Sequence, residues 1–399
     1  MSVNSRTTIA ILGAGPIGLD AALAAAEHGF PFTVYEAAPR IAGHVRRWAH
    51  VQLFTPWELD VSPRMRRALA AAGHPVPEDG ACPTGGELIE KVFEPLAALP
   101  EIQGHLRLGA EVTRVGRRGL LKHEEIGSGE RASRPFRLLV RDAAGEHVEE
   151  AGAVLDCTGT AVPNAIGDGG IPAPGEEALN GDLISHDIPD LEREADLWRG
   201  KRFLLVGAGH SAQTAVRGLV GLDSGTRVAW VLRGEQPSFG VVEDDPLPER
   251  SRLGRAAADL AASPPAGLTL HRGAVVEALA RDGDAVRVTL RNGTGEEEIT
   301  IDRILALTGR VGDHRLYRQL QVHECYATAG PMKLAAALMS VGGSTGGDCL
   351  AQSSQGAETL TNPEPGFFIL GSKSYGRRTD FLMRVGWEQV DEVFDLVGA

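Results

Sequence analysis

Ile9-Ala-Ile-Leu-Gly13-Ala-Gly15-Pro16-Ile17-Gly18, running straight into Leu19-Asp-Ala-Ala-Leu-Ala-Ala-Ala-Glu-His-Gly29, is the stretch whose reading decides the fold. Four consecutive apolar residues predict a parallel strand buried on both faces, the glycines a tight turn, and the alanine-rich run a helix. Gly13 permits the turn, and Gly15 removes a side chain where a diphosphate must approach the backbone. Gly18 lets the helix pack closely on the strand. The helix N-terminus, which begins at Pro16 and Ile17, presents unpaired N–H groups beyond the proline and a positive dipole end to the phosphates. The next strand, Phe32-Thr-Val-Tyr35, ends at Glu36. An acidic tip there accepts hydrogen bonds from ribose hydroxyls and repels a 2′-phosphate, which favours FAD or NAD over NADP.

Working outward, Pro39 to Trp57 mixes glycine, proline, arginine and two tryptophans, including Gly43, His44, Trp48, Thr55 and Trp57. It reads either as a loop wrapping a planar ligand or as a surface loop anchored by its tryptophans. Arg64 to Ala72 predicts a helix, and Thr84 with Glu87 three residues later predicts the capped start of another. From Leu106 short alternating segments predict an antiparallel meander. It closes on the buried strand Ala153-Val-Leu-Asp156, which stops at Cys157-Thr158-Gly159.

The second half repeats the first. Arg202-Phe-Leu-Leu-Val206-Gly207-Ala-Gly209-His210-Ser211-Ala212 is again strand, glycine turn and small-residue helix, and a meander and a strand ending at Thr308-Gly309 follow. Two copies imply two dinucleotide sites. The second copy carries Arg233 where the first has Glu36, so it is expected to pair with a 2′-phosphate and prefer NADPH, the alternative being an arginine on a solvated loop. The chain returns with the apolar Gly366-Phe-Phe-Ile-Leu-Gly371-Ser372 and an amphipathic helix capped by Thr379 or Asp380, near Phe381 and Leu382. That helix start either stabilises negative charge on a reduced flavin or merely seals the domain.

The fold class expected is α/β, with two Rossmann-like domains each bearing a small antiparallel meander. Residues 1–160 and 303–399 form an FAD domain, and 161–302 an NAD(P)H domain. With 399 residues the chain is long enough for two or three cores. A net charge of −13 argues against nucleic acid or an anionic membrane as partner. No apolar run reaches the length of a membrane span, and the first residues lack a signal-peptide pattern, so a cytoplasmic location is expected. The four cysteines, Cys82, Cys157, Cys325 and Cys349, are far apart. No metal site or local redox dithiol is therefore expected.

Taken together, these segments resemble the two-dinucleotide-binding-domain flavoproteins, the superfamily of flavin-containing and Baeyer–Villiger monooxygenases, N-hydroxylases and thioredoxin reductase-like enzymes. The resemblance covers nearly the whole chain, and Gly207 to Ala212 is similar to the turn of the monooxygenase branch. Two positions depart from the pattern. The monooxygenase fingerprint has only a loose echo in Leu179 to Asp190, around His186, and Ser372 stands where reductase-like members usually carry aspartate. The resemblance implies that NADPH reduces FAD, and that the reduced flavin reacts with molecular oxygen to a C4a-peroxide that oxygenates a small amine or sulfur compound. Trp48, Thr55, Trp57 and His186 are the catalytic-side candidates. A flavin reductase serving a quinone or protein acceptor and a nucleotide-binding redox sensor stand as alternatives. Oligomeric state stays open, a homodimer included. The stretches 51–63 and 341–362 are those expected to decide the substrate.

Overall fold

The computed structural model describes residues 7–77, 80–222, 225–342 and 352–398. The chain divides into two compact units, Met1–Val162 with Val311–Ala399, and Pro163–Arg310.

In the first unit the strand Ile9–Leu12 lies at the centre of a five-stranded parallel sheet. Its neighbours are Phe32–Glu36 on one side and Ala153–Asp156 on the other, with Leu106–Leu108 and Phe367–Ile369 at the edges. All four residues of Ile9–Leu12 are buried, as a strand covered on both faces requires. The helix Pro16–Glu27 starts on a proline, whose missing N–H costs nothing at that position. The small side chains of Ala21, Ala22, Ala24 and Ala25 let it lie close to the sheet, with the C-terminal helix Met383–Gly398 packed outside it. A three-stranded antiparallel meander, Glu111–Arg117, Phe136–Asp142 and Gly145–Ala151, completes the unit.

The second unit has the same plan. Arg202–Val206 is central in a parallel sheet flanked by Arg227–Leu232 and Arg303–Ala306, with Leu268–Arg272 and Ile184–Ser185 at the edges. Its meander is Val275–Asp282, Ala285–Asn292 and Gly295–Ile301. Among the described residues no helix is long and apolar enough to cross a membrane.

Three boundaries differ from the sequence reading. Leu106–Leu108 belongs to the parallel sheet, where Leu106 pairs with Val34; Gly109, at φ +67°, turns the chain before the meander begins. Arg303–Ala306, placed by sequence in the FAD domain, pairs residue for residue with Phe203–Val206 and is a strand of the second unit. The C-terminal helix begins at Met383 and not at Thr379 or Asp380, because the Asp380 carboxylate is taken by the Arg378 guanidinium and the Gln352 amide.

Candidate functional site

A cavity of about 640 Å³ opens in the first unit over the turn that follows Ile9–Leu12. Its floor is Gly13, Gly15, Pro16 and Ile17, at the N-terminus of the helix Pro16–Glu27. Gly15 faces open space, and nothing lies within 4 Å of where a Cβ would stand. Gly18 is different: a Cβ there would fall 1.8 Å from the Gly13 carbonyl oxygen, so it serves helix-to-strand packing and stays off the wall.

Glu36 lines the cavity with its carboxylate held in place. Oε2 accepts from the Ala14 N–H at 2.8 Å and Oε1 from the Ala38 N–H at 2.9 Å. A carboxylate keeps further lone pairs beyond these two bonds, so a ribose hydroxyl can still be accepted. Gly43 and Trp48 form the adjoining wall. Trp48 is seated by a chain of local causes. Thr84 and Glu87 make a reciprocal capping box, with Glu87 N–H to Thr84 Oγ1 at 3.1 Å and Thr84 N–H to Glu87 Oε2 at 2.9 Å. That helix start sets Gly85 under the indole, where a Cβ would come within 2.7 Å of the ring. The opposite wall is Thr158, Gly159, Gly371, Ser372 and Phe381.

Thr55 and Trp57 do not reach this wall. Both are buried: Thr55 donates to Asp60 Oδ1 at 2.7 Å, and the Trp57 ring joins the apolar core beneath a lysine, Lys91. Leu382 is likewise a buried residue off the cavity wall. Several wall residues carried no signal of their own in the sequence, among them Val112, Thr113, Arg114 and Lys373. The first three come from a meander strand far along the chain from the glycine turn, and Lys373 reads as an ordinary polar turn residue. Cys157 is the cysteine at the wall, and burial pushes its thiol well above the usual range.

In the second unit Gly207, Gly209, His210, Ser211 and Ala212 form the corresponding turn and the start of the helix His210–Val220. Gly207 abuts the strand end that leads to Thr308 and Gly309, since a Cβ on it would lie 2.2 Å from the Leu307 carbonyl oxygen. The Trp230 indole N–H donates to the Gly207 carbonyl at 2.8 Å and holds the turn. Thr308 and Gly309 are tied to Asn164, with Thr308 Oγ1 to its carbonyl at 2.7 Å and the Asn164 N–H to the Gly309 carbonyl at 3.0 Å. Burial lowers the His210 imidazole below its ordinary range, so at neutral pH the positive character of this turn comes from backbone N–H groups and the helix dipole. Arg233 is exposed immediately past Arg227–Leu232, the strand beside Arg202–Val206. His186 lies at the end of Ile184–Ser185 with its ring nitrogens 3.1 Å from the Ala306 carbonyl and 3.1 Å from Asn180 Oδ1. Both ring nitrogens thus face partners within the second unit.

These residues fit dinucleotides. The first cavity joins a helix N-terminus, an open glycine and an oriented carboxylate, and its volume lies in the ordinary range of roughly 300–1,000 Å³ for cofactor pockets. A family model described as an NAD(P)-binding Rossmann-like domain matches residues 11–69. No curated protein matches the chain by sequence. Among solved structures, the bacillithiol disulfide reductase of Bacillus cereus superposes with a TM-score of 0.69 at 17% identity, over 98% of this chain and 99% of that one. The ornithine N-hydroxylase of Kutzneria sp. 744 superposes with a TM-score of 0.64 at 16% identity, again over 98% and 99%. The thioredoxin reductase of T. acidophilum gives 0.60 at 16% identity with the same coverage. The fold is that of the two-dinucleotide-domain flavoproteins. Within this fold the first unit carries Glu36 at the end of Phe32–Glu36, and the second carries Arg233 just past Arg227–Leu232.

Proposed function

We propose that the chain is an NADPH-dependent FAD oxidoreductase that acts as a monooxygenase on a small nitrogen- or sulfur-containing molecule. FAD, when bound, supplies hydride acceptance from NADPH and reaction with molecular oxygen; the protein binds, orients and shields. Glu36 would hold the adenosine ribose, and the helix start at Pro16 the diphosphate. The Trp48 and Phe381 side of the cavity would exclude water around the ring system. In the second unit the helix start at His210 would take the NADPH diphosphate, and Arg233 its 2′-phosphate.

The observation that carries the oxygenase reading is the state of the sulfur at the cavity. Cys157 is buried, its thiol is pushed up away from the reactive thiolate, and no second cysteine neighbours it in the sequence. Among the described residues the cavity wall therefore offers one buried thiol and no dithiol, which supports oxygen over a disulfide as the acceptor. A second reading, an NAD(P)H-dependent reductase serving a quinone, a small disulfide or a protein acceptor, is favoured by the likeness to the bacillithiol disulfide reductase. Rapid mixing of the NADPH-reduced protein with oxygenated buffer tests the two. A transient near-ultraviolet absorbance that precedes the oxidised flavin spectrum is the expected result. Direct return to the oxidised spectrum, with no transient at any substrate concentration, overturns the oxygenase reading in favour of the reductase.

A further inference from the structure

Lys373 lies two residues past Gly371, where the chain leaves the buried strand Phe367–Ile369, and its side chain is 1% exposed. A lysine so deep is rare unless paired. Its Nζ donates to Asp156 Oδ2 at 2.6 Å, to the Asp313 carbonyl at 3.0 Å and to Thr158 Oγ1 at 3.1 Å, which uses all three protons. The other Asp156 oxygen accepts from the Thr158 hydroxyl at 2.6 Å and its N–H at 3.2 Å. The Tyr317 ring presents its face 5.1 Å from Nζ, while its hydroxyl is turned away to Glu324. The stem runs against Gly312, where a Cβ would stand only 2.5–2.9 Å from it.

This pair is oriented with respect to the cavity. Lys373 and two of its three acceptor residues, Thr158 and Asp313, belong to the wall, whereas Asp156 is fully buried behind it. The positive partner of the pair thus belongs to a wall residue and the negative one lies behind it, in surroundings where charge is poorly screened. Because the ammonium has no proton left to donate, it acts on a ligand through its field and not through a hydrogen bond. A reduced flavin bears more negative charge than an oxidised one, and preorganised positive charge favours the state that carries it.

We infer that the Lys373–Asp156 pair sets the preference of the cavity for reduced over oxidised FAD, and with it the cofactor's reduction potential. Lys373 is then a positioning residue: it orders the Thr158 and Ser372 walls and supplies the field. The inference rests on the reading that this cavity holds FAD.

The test compares the wild type with Lys373→Met and with Lys373→Met combined with Asp156→Asn, each reconstituted with FAD and followed by spectroelectrochemistry and thermal melting. Removing a buried pair together is often neutral for stability, whereas removing one partner leaves an uncompensated charge. The double variant is therefore expected to melt near the wild type and to bind oxidised FAD, yet to favour reduced FAD about tenfold less, a potential lower by ~30 mV for two electrons. The single variant is expected to melt lower and to fall further in potential. Unchanged potentials in both variants with FAD bound, or a double variant unable to bind FAD, overturn the inference and make the pair purely structural. Failure of the wild type to bind FAD overturns the cofactor reading itself, so the two failures are distinguishable.

Discussion

Asp60 is 2% exposed, and its Oδ2 has no hydrogen-bond partner among the described residues. Burial pushes its carboxyl up to about 7, against the opposing effect of the Thr55 hydrogen bond. In the unfolded chain the same carboxyl titrates near 4, so between roughly pH 4 and pH 7 the folded state holds a proton that the unfolded state releases. Its contribution to stability is therefore full below the unfolded value and is lost as pH rises through the folded one. Asp20, pushed up to about 6 because burial outweighs Arg64 and Ser62, acts in the same direction. Asp60→Asn keeps an acceptor for Thr55 and removes the titration. Denaturant unfolding between about pH 5 and pH 8 is expected to show the wild type losing roughly 2 kcal/mol more than the variant. Parallel pH profiles would refute the assignment. At the same scale Arg233 is open to a direct kinetic test. Arg233→Ala is expected to reduce the kcat/KM preference for NADPH over NADH by roughly ten- to hundredfold, the loss of a charge-assisted pair of about 1.5–3 kcal/mol. An unchanged ratio would show that Arg233 does not read the 2′-phosphate. Glu36 stood out in the sequence as the end of the strand beside a glycine turn, and Arg233 as the charged residue just past the matching strand. Asp60 and Lys373 did not, since nothing local distinguishes a buried aspartate or lysine from a solvated one.

The elements lean on buried charge as well as apolar packing. Glu364 is fully buried just ahead of the strand Phe367–Ile369, accepting from Arg117 Nε at 2.7 Å, Arg131 Nη2 at 2.7 Å and the Gln321 N–H at 2.8 Å. Both arginine side chains are only 1% exposed, and the Arg117 guanidinium also lies 3.6 Å from the Phe136 ring centroid. The cluster ties the meander to the strand that delivers Gly371 and Lys373 to the cavity. Glu364→Gln keeps the shape and leaves two guanidinium groups without a counter-charge. The expected cost is about 3–5 kcal/mol, read as a lowered denaturant midpoint. A loss within error of zero would mean that carbonyl acceptors such as Arg134 and Leu121 suffice for the arginines. Element type was largely legible because parallel strands and small-residue helices carry strong patterns. Ends were less so: the C-terminal helix starts at Met383 because Asp380 satisfies Arg378 instead of capping, a choice set by contacts and not by propensity.

At the scale of the molecule, the repeat of strand, glycine turn, meander and strand was visible in the sequence, and each unit folds it into the same parallel sheet with an attached meander. Such repetition is legible because every element in it is specified locally, by hydrophobic period or by glycine. What faces what was not local. Trp48 reaches the cavity while Trp57, nine residues on, is in the core. His186, a catalytic-side candidate in the sequence, has its ring nitrogens against the Ala306 carbonyl and Asn180 Oδ1, 120 and 6 residues away. The sequence by itself determined the α/β class, the two glycine turns and their oppositely charged strand tips, because period, glycine and terminal charge are properties of short segments. Only the tertiary structure decided which side chains line the first cavity, and that Lys373 stands in its wall on Asp156, because 217 residues separate that pair and only the packing of the sheet brings them within 2.6 Å.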